Sequence, residues 1–126
     1  MQEYKLYIDG QFGDSQSGKS LESINPATEE PWARVARADR ADTERAIRAA
    51  RKAFDEGPWP RMSQADRSKI LNQIASGLES RAQEIAVVEA KDSGGTIRKT
   101  GGDMMLGTVQ LRYFARVAEK LPLLKE

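Results

Sequence analysis

Nowhere in this chain do four consecutive residues come from Val, Ile and Leu. A parallel sheet covered by helices on both faces needs strands that are near-continuous apolar runs of that kind. The sequence is therefore not expected to build a doubly wound sheet by itself. Its 9 Leu, 7 Ile, 5 Val and 3 Phe among 126 residues are joined by 16 Ala. That supply favours closely approaching helices over a thick core. The formal charge of +1 offers no self-repulsion to hold the chain open. The fold class expected is α+β and mostly helical: an N-terminal β-hairpin followed by about four helices, within a single-domain length.

Residues 4–12 mix aromatic and β-branched residues with polar ones, which predicts a strand, with Asp9-Gly10 as a turn or bulge. Residues 13–20 read as a loop. Residues 21–25 read as a second short strand stopped by Pro26, and 32–36 as a third, so the strand region spans about 4–36. Asp39 predicts a helix N-cap, and Asp42 three residues on gives capping-box spacing. Ile47, Ala50 and Phe54 then share one face of a helix over about 40–55, ended by Gly57-Pro58. Ser63 with Asp66 opens the next helix, striped by Ile70, Leu71, Ile74 and Leu78. Ser80 with Gln83 repeats the cap signal inside the same pattern, which splits it into about 64–79 and 81–93, before Gly94-Gly95. Gly101-Gly102 with Asp103 as cap predicts a last helix over about 103–121, its apolar surface formed by Leu106, Val109, Phe114, Val117 and Leu121. The strands have evident partners only in one another. A hairpin with so little core is marginal in water, so the chain reads as part of something larger.

Several chemistries are excluded by residue type. The chain has no Cys and no His, hence no disulfide, zinc–thiolate site, thiol nucleophile, Ser-His triad or imidazole ligand. No apolar run approaches the roughly 18 residues of a membrane span, and Met1 to Lys5 lacks the order of a signal peptide. A cytoplasmic protein with no membrane partner is expected. The balanced charge argues against a nucleic-acid partner. Segment 34–52 carries seven basic residues against three acidic ones, and reads as a solvated helix face with Glu44 and Arg48 paired at i,i+4. Gly13 to Ser20 fits the phosphate-loop pattern G-x-x-x-x-G-K-[ST] letter for letter. That pattern works only where the loop leads into a helix, and Pro26 leaves no room for one, so the segment reads as a hairpin loop. Asp92 reads as a surface or C-cap carboxylate. Met104, Met105, Tyr113 and Phe114 have the residue types to line a pocket, but at helical spacing they read as core before that. No nucleophile sits beside an evident base.

Taken in order, the segments Leu6 to Phe12, Ile24-Asn25-Pro26-Ala27-Thr28, Ala46 to Phe54, Gly57-Pro58-Trp59, Arg67, Leu71 to Leu78, Glu89 to Gly94 and Leu111-Arg112-Tyr113-Phe114-Ala115 resemble the amino-terminal segment of the aldehyde dehydrogenase superfamily. Each is weak alone; the ordered set covers nearly the whole chain. The resemblance implies a partial piece of an NAD(P)-binding domain that lacks its Rossmann sheet. It also implies a full-length oxidoreductase that uses NAD or NADP, a Cys nucleophile, a Glu-activated water and an oxyanion hole. All of these are expected beyond Glu126. The 126-residue chain alone is then expected to be inactive, with no catalytic and no cofactor-binding residues of its own. Its expected partner is the remainder of the same enzyme, with self-association through exposed apolar faces. Two positional expectations carry over. Matching on Leu111 to Phe114 places Gly102 and Leu106 on the wall of the aldehyde access tunnel, and some members bind an alkali cation where Ser23, through its carbonyl, and Asp92 stand here. Glu29-Glu30-Pro31-Trp32 departs from the family's usual Gly-Glu-apolar-apolar turn, and Ser93-Gly94-Gly95 stands where Gly-Lys-Pro is common. The alternative reading is a free-standing helical protein-interaction module of the same ancestry.

Overall fold

The computed structural model describes residues 1–121. These form two compact units: Met1–Pro60 with Lys91–Gly94, and Arg61–Ala90 with the chain from Gly95 onward.

The first unit holds five strands and a helix. These are β1 (Gln2–Tyr4), β2 (Leu6–Ile8), β3 (Gln11–Gly13), β4 (Ser20–Asn25), β5 (Glu30–Ala36) and α1 (Arg40–Glu56). The expected single strand over residues 4–12 is thus three short ones. Asp9 and Gly10, with φ of 53° and 78°, supply the two left-handed residues of a tight hairpin that pairs β2 with β3. β1 goes elsewhere. It pairs in parallel with β5, which is antiparallel to β4 on its other side, in the order β1-β5-β4. A three-residue strand carries no periodicity from which that pairing could be read. β5 starts two residues earlier than expected, at Glu30, and tolerates Pro31. The ladder shifts register between Ser23 and Ile24, next to the Ile24–Pro31 pair, so the proline with no N–H to donate sits at an irregularity. The turn before β5 places Glu29 at φ 60° and closes with Glu29 N–H donating to the Asn25 carbonyl at 2.8 Å.

Helix α1 starts as its sequence predicts. Asp39 accepts from the Asp42 N–H at 2.9 Å, and Asp42 accepts from the Asp39 N–H at 3.1 Å. The Asp42 carboxylate does more than close this box. It accepts from the Gln16 N–H at 3.1 Å and from Arg45 Nη2 at 2.6 Å, and is fully buried. One side chain thereby fixes both the start of α1 and the loop between β3 and β4. These hydrogen bonds, the Asp39 N–H foremost, hold its pKa at about 2, against the opposing effect of desolvation. The apolar stripe of α1 does not face a core: Ile47 and Phe54 are exposed. Gly57 caps the helix, donating to the Ala53 carbonyl at 3.0 Å.

The second unit is built from α2 (Gln64–Ser80), α3 (Ala82–Ser93, whose last turn belongs to the first unit) and α4 (Ile97–Lys120). Ser63 caps α2 by accepting from the Asp66 N–H at 3.1 Å. The helix break falls at Arg81, close to the expected place, by a different device. Ser80 Oγ donates back to the Gly77 carbonyl at 2.9 Å and does not cap α3. The start of α4 differs most from expectation. The helix begins at Ile97, six residues before the predicted start, with Thr96 as its N-cap. Gly101 and Gly102 lie inside it, and Asp103 pairs with Lys99 instead of capping. What extends the helix is Thr100, fully buried, whose hydroxyl donates to the Ala86 carbonyl of α3 at 2.9 Å.

Among the described residues the buried apolar side chains are four alanines, Ala33, Ala75, Ala86 and Ala115, and the largest fully buried side chains are Thr100, Asp42 and Ser68.

Two outcomes test this account. A carboxylate with a lowered pKa contributes stability above its unfolded pKa and loses it as pH falls through the folded value. The Asp42 contribution is therefore complete above about pH 4 and disappears towards about pH 2. Denaturant melts across that window should show this loss, and Asp42→Asn should be destabilised at neutral pH with a flatter acid limb. Glu29→Gly should raise stability by about 0.5–1 kcal/mol, the left-handed penalty of ~1–2 kcal/mol less the extra entropy glycine loses on folding, read as a raised melting temperature.

Candidate functional site

The surface with the clearest chemical character is the outer face of α4. Successive side chains on a helix separate into faces by the 3.6-residue period. One face of α4 carries Thr108 and Ala115, both buried, and Arg112. Arg112 fastens this face to α2. Its Nε donates to Glu79 Oε1 at 3.0 Å, and its Nη2 to Glu79 Oε2 at 2.5 Å and to Ser76 Oγ at 3.2 Å. The fork geometry of a guanidinium on a carboxylate explains why an arginine holds this place. The same hydrogen bonds lower the Glu79 pKa and raise that of Arg112.

The opposite face carries Gly102, Leu106, Val109 and Tyr113 at i, i+4, i+7 and i+11, flanked by Met105 and Phe114, and all are exposed. The expectation that Met105, Tyr113 and Phe114 form core is overturned: they are 69%, 54% and 57% exposed, and the two rings stack edge to face on the surface. The hydrogen-bonding face of Arg112 takes the helix side turned to α2, which leaves the larger apolar side chains outside. A Cβ built on Gly102 meets nothing within 4 Å, so this end of the face is open. Such a surface can hold an apolar group and exclude water from it. Its one hydroxyl-bearing side chain among those named, Tyr113, has no carboxylate or other base beside it on this face.

A second cluster lies in the first unit. Ser23 on β4 and Asp92 on the last turn of α3 are 69 residues apart in sequence, yet Ser23 Oγ donates to Asp92 Oδ1 at 2.5 Å. Trp32 Nε1 donates to the same Ser23 Oγ at 3.2 Å, and its ring meets Tyr4 edge to face. Asp92 is thus a tether between a helix end and a sheet, a role its sequence position did not reveal. Gly94, at φ 71°, ends α3, and a Cβ there would come within 3.0 Å of Pro26. The cluster brings oxygen atoms together, the donor type a hard cation takes. No group of three or more acidic, His or Cys side chains that could hold a metal occurs among the described residues.

The Gly13 to Ser20 segment is a loop that runs into β4, a strand, and its Gln16 N–H is taken by the Asp42 carboxylate. Neither observation fits a phosphate cradle, which needs a following helix and free N–H groups. The basic face of α1 carries ion pairs at i,i+4, Arg40–Glu44 at 3.0 Å and Arg48–Glu44 at 3.8 Å. No helix among the described residues is long and apolar enough to cross a membrane.

Comparison with known proteins places this geometry. The model of the aldehyde dehydrogenase family matches residues 12–124. Aldehyde dehydrogenase 1 of Tanacetum cinerariifolium is 45% identical over 93% of this chain and 24% of its own length. An NAD-dependent aldehyde dehydrogenase from Sinorhizobium meliloti has a solved structure that superposes with a TM-score of 0.90 at 33% identity, over 95% of this chain and 24% of that one. An aldehyde dehydrogenase from Bacillus cereus, solved as an NAD+ complex, gives a TM-score of 0.85 at 36% identity over 90% of this chain and 23% of that one. The chain spans about a quarter of the length of the relatives it matches.

Replacing Ser23 by Ala removes the shared hydroxyl between Trp32 and Asp92 and should cost about 1 kcal/mol. Thermal melts followed by tryptophan fluorescence measure that loss; an unchanged midpoint would show that the tether carries no stability.

Proposed function

Because the chain belongs to the aldehyde dehydrogenase family, we propose that it is the N-terminal segment of an NAD(P)-dependent aldehyde dehydrogenase, which oxidises an aldehyde to a carboxylic acid. The segment serves there as scaffold and as one wall of the substrate tunnel. The observation that carries this reading is the superposition on solved aldehyde dehydrogenases with a TM-score of 0.90 over only 24% of their length.

The division of labour follows from residue chemistry. Hydride transfer from an aldehyde carbon needs a nucleophile to form the tetrahedral adduct and donors to hold its oxyanion. This chain has neither Cys nor His, so it supplies no thiol nucleophile. The thiol is assigned to the remainder of the enzyme, and the oxyanion donors and the NAD or NADP site are proposed to lie there with it. That remainder is the proposed partner, covering apolar side chains that stand exposed: Tyr7, Phe12, Ile47 and Phe54 in the first unit, and Met105 and Val109 in the second. Self-association is the proposed fate of these faces in the isolated chain. The cytoplasm is the proposed location.

Gly102 and Leu106 are proposed to line the tunnel. Their exposed, apolar, uncharged placement supports a wall that admits a substrate side chain without binding its carbonyl. The Ser23–Asp92 cluster is the proposed alkali-cation position of the full enzyme, contributing the Ser23 carbonyl and the Asp92 carboxylate. Two donors fall well short of the six to eight oxygens typical of a hard cation such as calcium, so the other ligands must come from outside this cluster.

The test has two arms. The isolated chain, given NAD+ or NADP+ and a panel of aldehydes, should form no NADH or NADPH above the chemical blank; turnover would overturn the assignment of the chemistry to the remainder. In a full-length enzyme carrying this segment, Gly102→Phe should raise KM for bulky aldehydes roughly tenfold, the ~1–3 kcal/mol worth of a steric change in an apolar pocket. An unchanged substrate profile would remove Gly102 from the wall.

A further inference from the structure

The N-terminal two turns of α4 combine several features that weaken a helix with little that strengthens it. Gly101 and Gly102 stand side by side inside it, each less favourable than alanine in a helix interior. Nothing in the packing asks for them, since a Cβ on either meets no atom within 4 Å. The first turn has no acidic residue, while Arg98 and Lys99 place two positive charges at the positive end of the helix dipole. The N-cap is loose, with the Lys99 N–H 3.4 Å from Thr96 Oγ1. The Lys99–Asp103 pair, at 2.6 Å, runs in the less favourable order, cation before anion. One buried side chain, Thr100, holds these turns through its bond to the Ala86 carbonyl. From Thr108 onward the helix is fastened instead by Thr108, Ala115 and the Arg112–Glu79 fork.

We propose that residues 97–103 form a gate, a segment that opens locally while the rest of α4 stays folded, and that its opening withdraws the wall at Gly102 to admit aldehydes too bulky for the closed helix. The functional half of this inference rests on the reading of α4 as a tunnel wall; the opening itself does not. A bulky substrate shifts the segment towards the open form only by the difference in its affinity for the two forms, and a weakly held segment makes the required difference small.

The opening is read by amide hydrogen exchange, followed by NMR on this chain, at residues 100–103, whose N–H groups have helical partners, and at residues 108–117. Exchange at 100–103 should be at least tenfold faster than at 108–117. Gly101→Ala should slow it about fivefold, the factor equivalent to the ~1 kcal/mol helix preference of alanine over glycine. Arg98→Glu, at an exposed position, should slow it two- to fivefold. Thr100→Val should speed it without changing 108–117. Equal exchange in the two stretches, or variants that move both together, would overturn the gate. In a full-length enzyme carrying the segment, Gly101→Ala, which leaves Gly102 untouched, should lower kcat/KM for bulky aldehydes several-fold and leave it unchanged for small ones. Local opening without that kinetic split would also overturn the gate. A substrate profile indifferent to Gly102→Phe would instead defeat the tunnel reading, with the exchange pattern intact.

Discussion

Alanine at Ala33, Ala75, Ala86 and Ala115 lets backbones approach closely, and side chains of that size bury little apolar area. Polar fasteners therefore do much of the work of fixing geometry in each unit. Asp42 is the example in the first. Buried without a counter-charge of its own size, a carboxylate would be costly; here it accepts from two backbone N–H groups and from Arg45, so its charge is compensated where it sits. Thr100 and Arg112 do the same for the second unit, one through a single buried hydroxyl and the other through a fork on Glu79.

The same constraint explains where the large apolar residues stand. Phe54 lies on the surface with the Arg51 guanidinium 5.0 Å from its ring centroid, and Tyr7 and Phe12 pair with each other at 4.8 Å across their hairpin. Exposed aromatic side chains of this size are the kind of surface that an interface covers. The chain spans about a quarter of the length of the family members it matches, and the proposal that the remainder of such an enzyme covers these side chains starts from that difference in length.

What could be read from sequence was what is local. Asp39 with Asp42, Ser63 with Asp66, Asp9-Gly10 and Gly94 are signals spread over two to four residues, and each stands in the structure where those signals place it. The beginning of α4 misled because Gly101-Gly102-Asp103 imitates a stop and a cap. The contact that overrides it, Thr100 to Ala86, spans 14 residues. The β1–β5 pairing, the Gln16–Asp42 bond and the Ser23–Asp92 tether are more distant still, and no periodicity encodes them. The apolar stripe of α1 was legible as a stripe. That it faces outward was not, because periodicity reports that a face wants burial and says nothing of what buries it. Gly102 and Leu106 became candidates only through the family resemblance; their spacing alone states that they share a face.

The last turn of α3, Lys91–Gly94, is grouped with the strands and not with the helix to which it is covalently continuous. The polypeptide thus leaves the first unit, makes α2 and most of α3, and returns before departing again. No single scission can liberate either half intact. Cleavage after Pro60 deprives the strands of the carboxylate that grips Ser23, and trimming the C-terminal side of Gly94 strips α4 from its neighbours. Excising one half for expression would have to carry a severed helix with it.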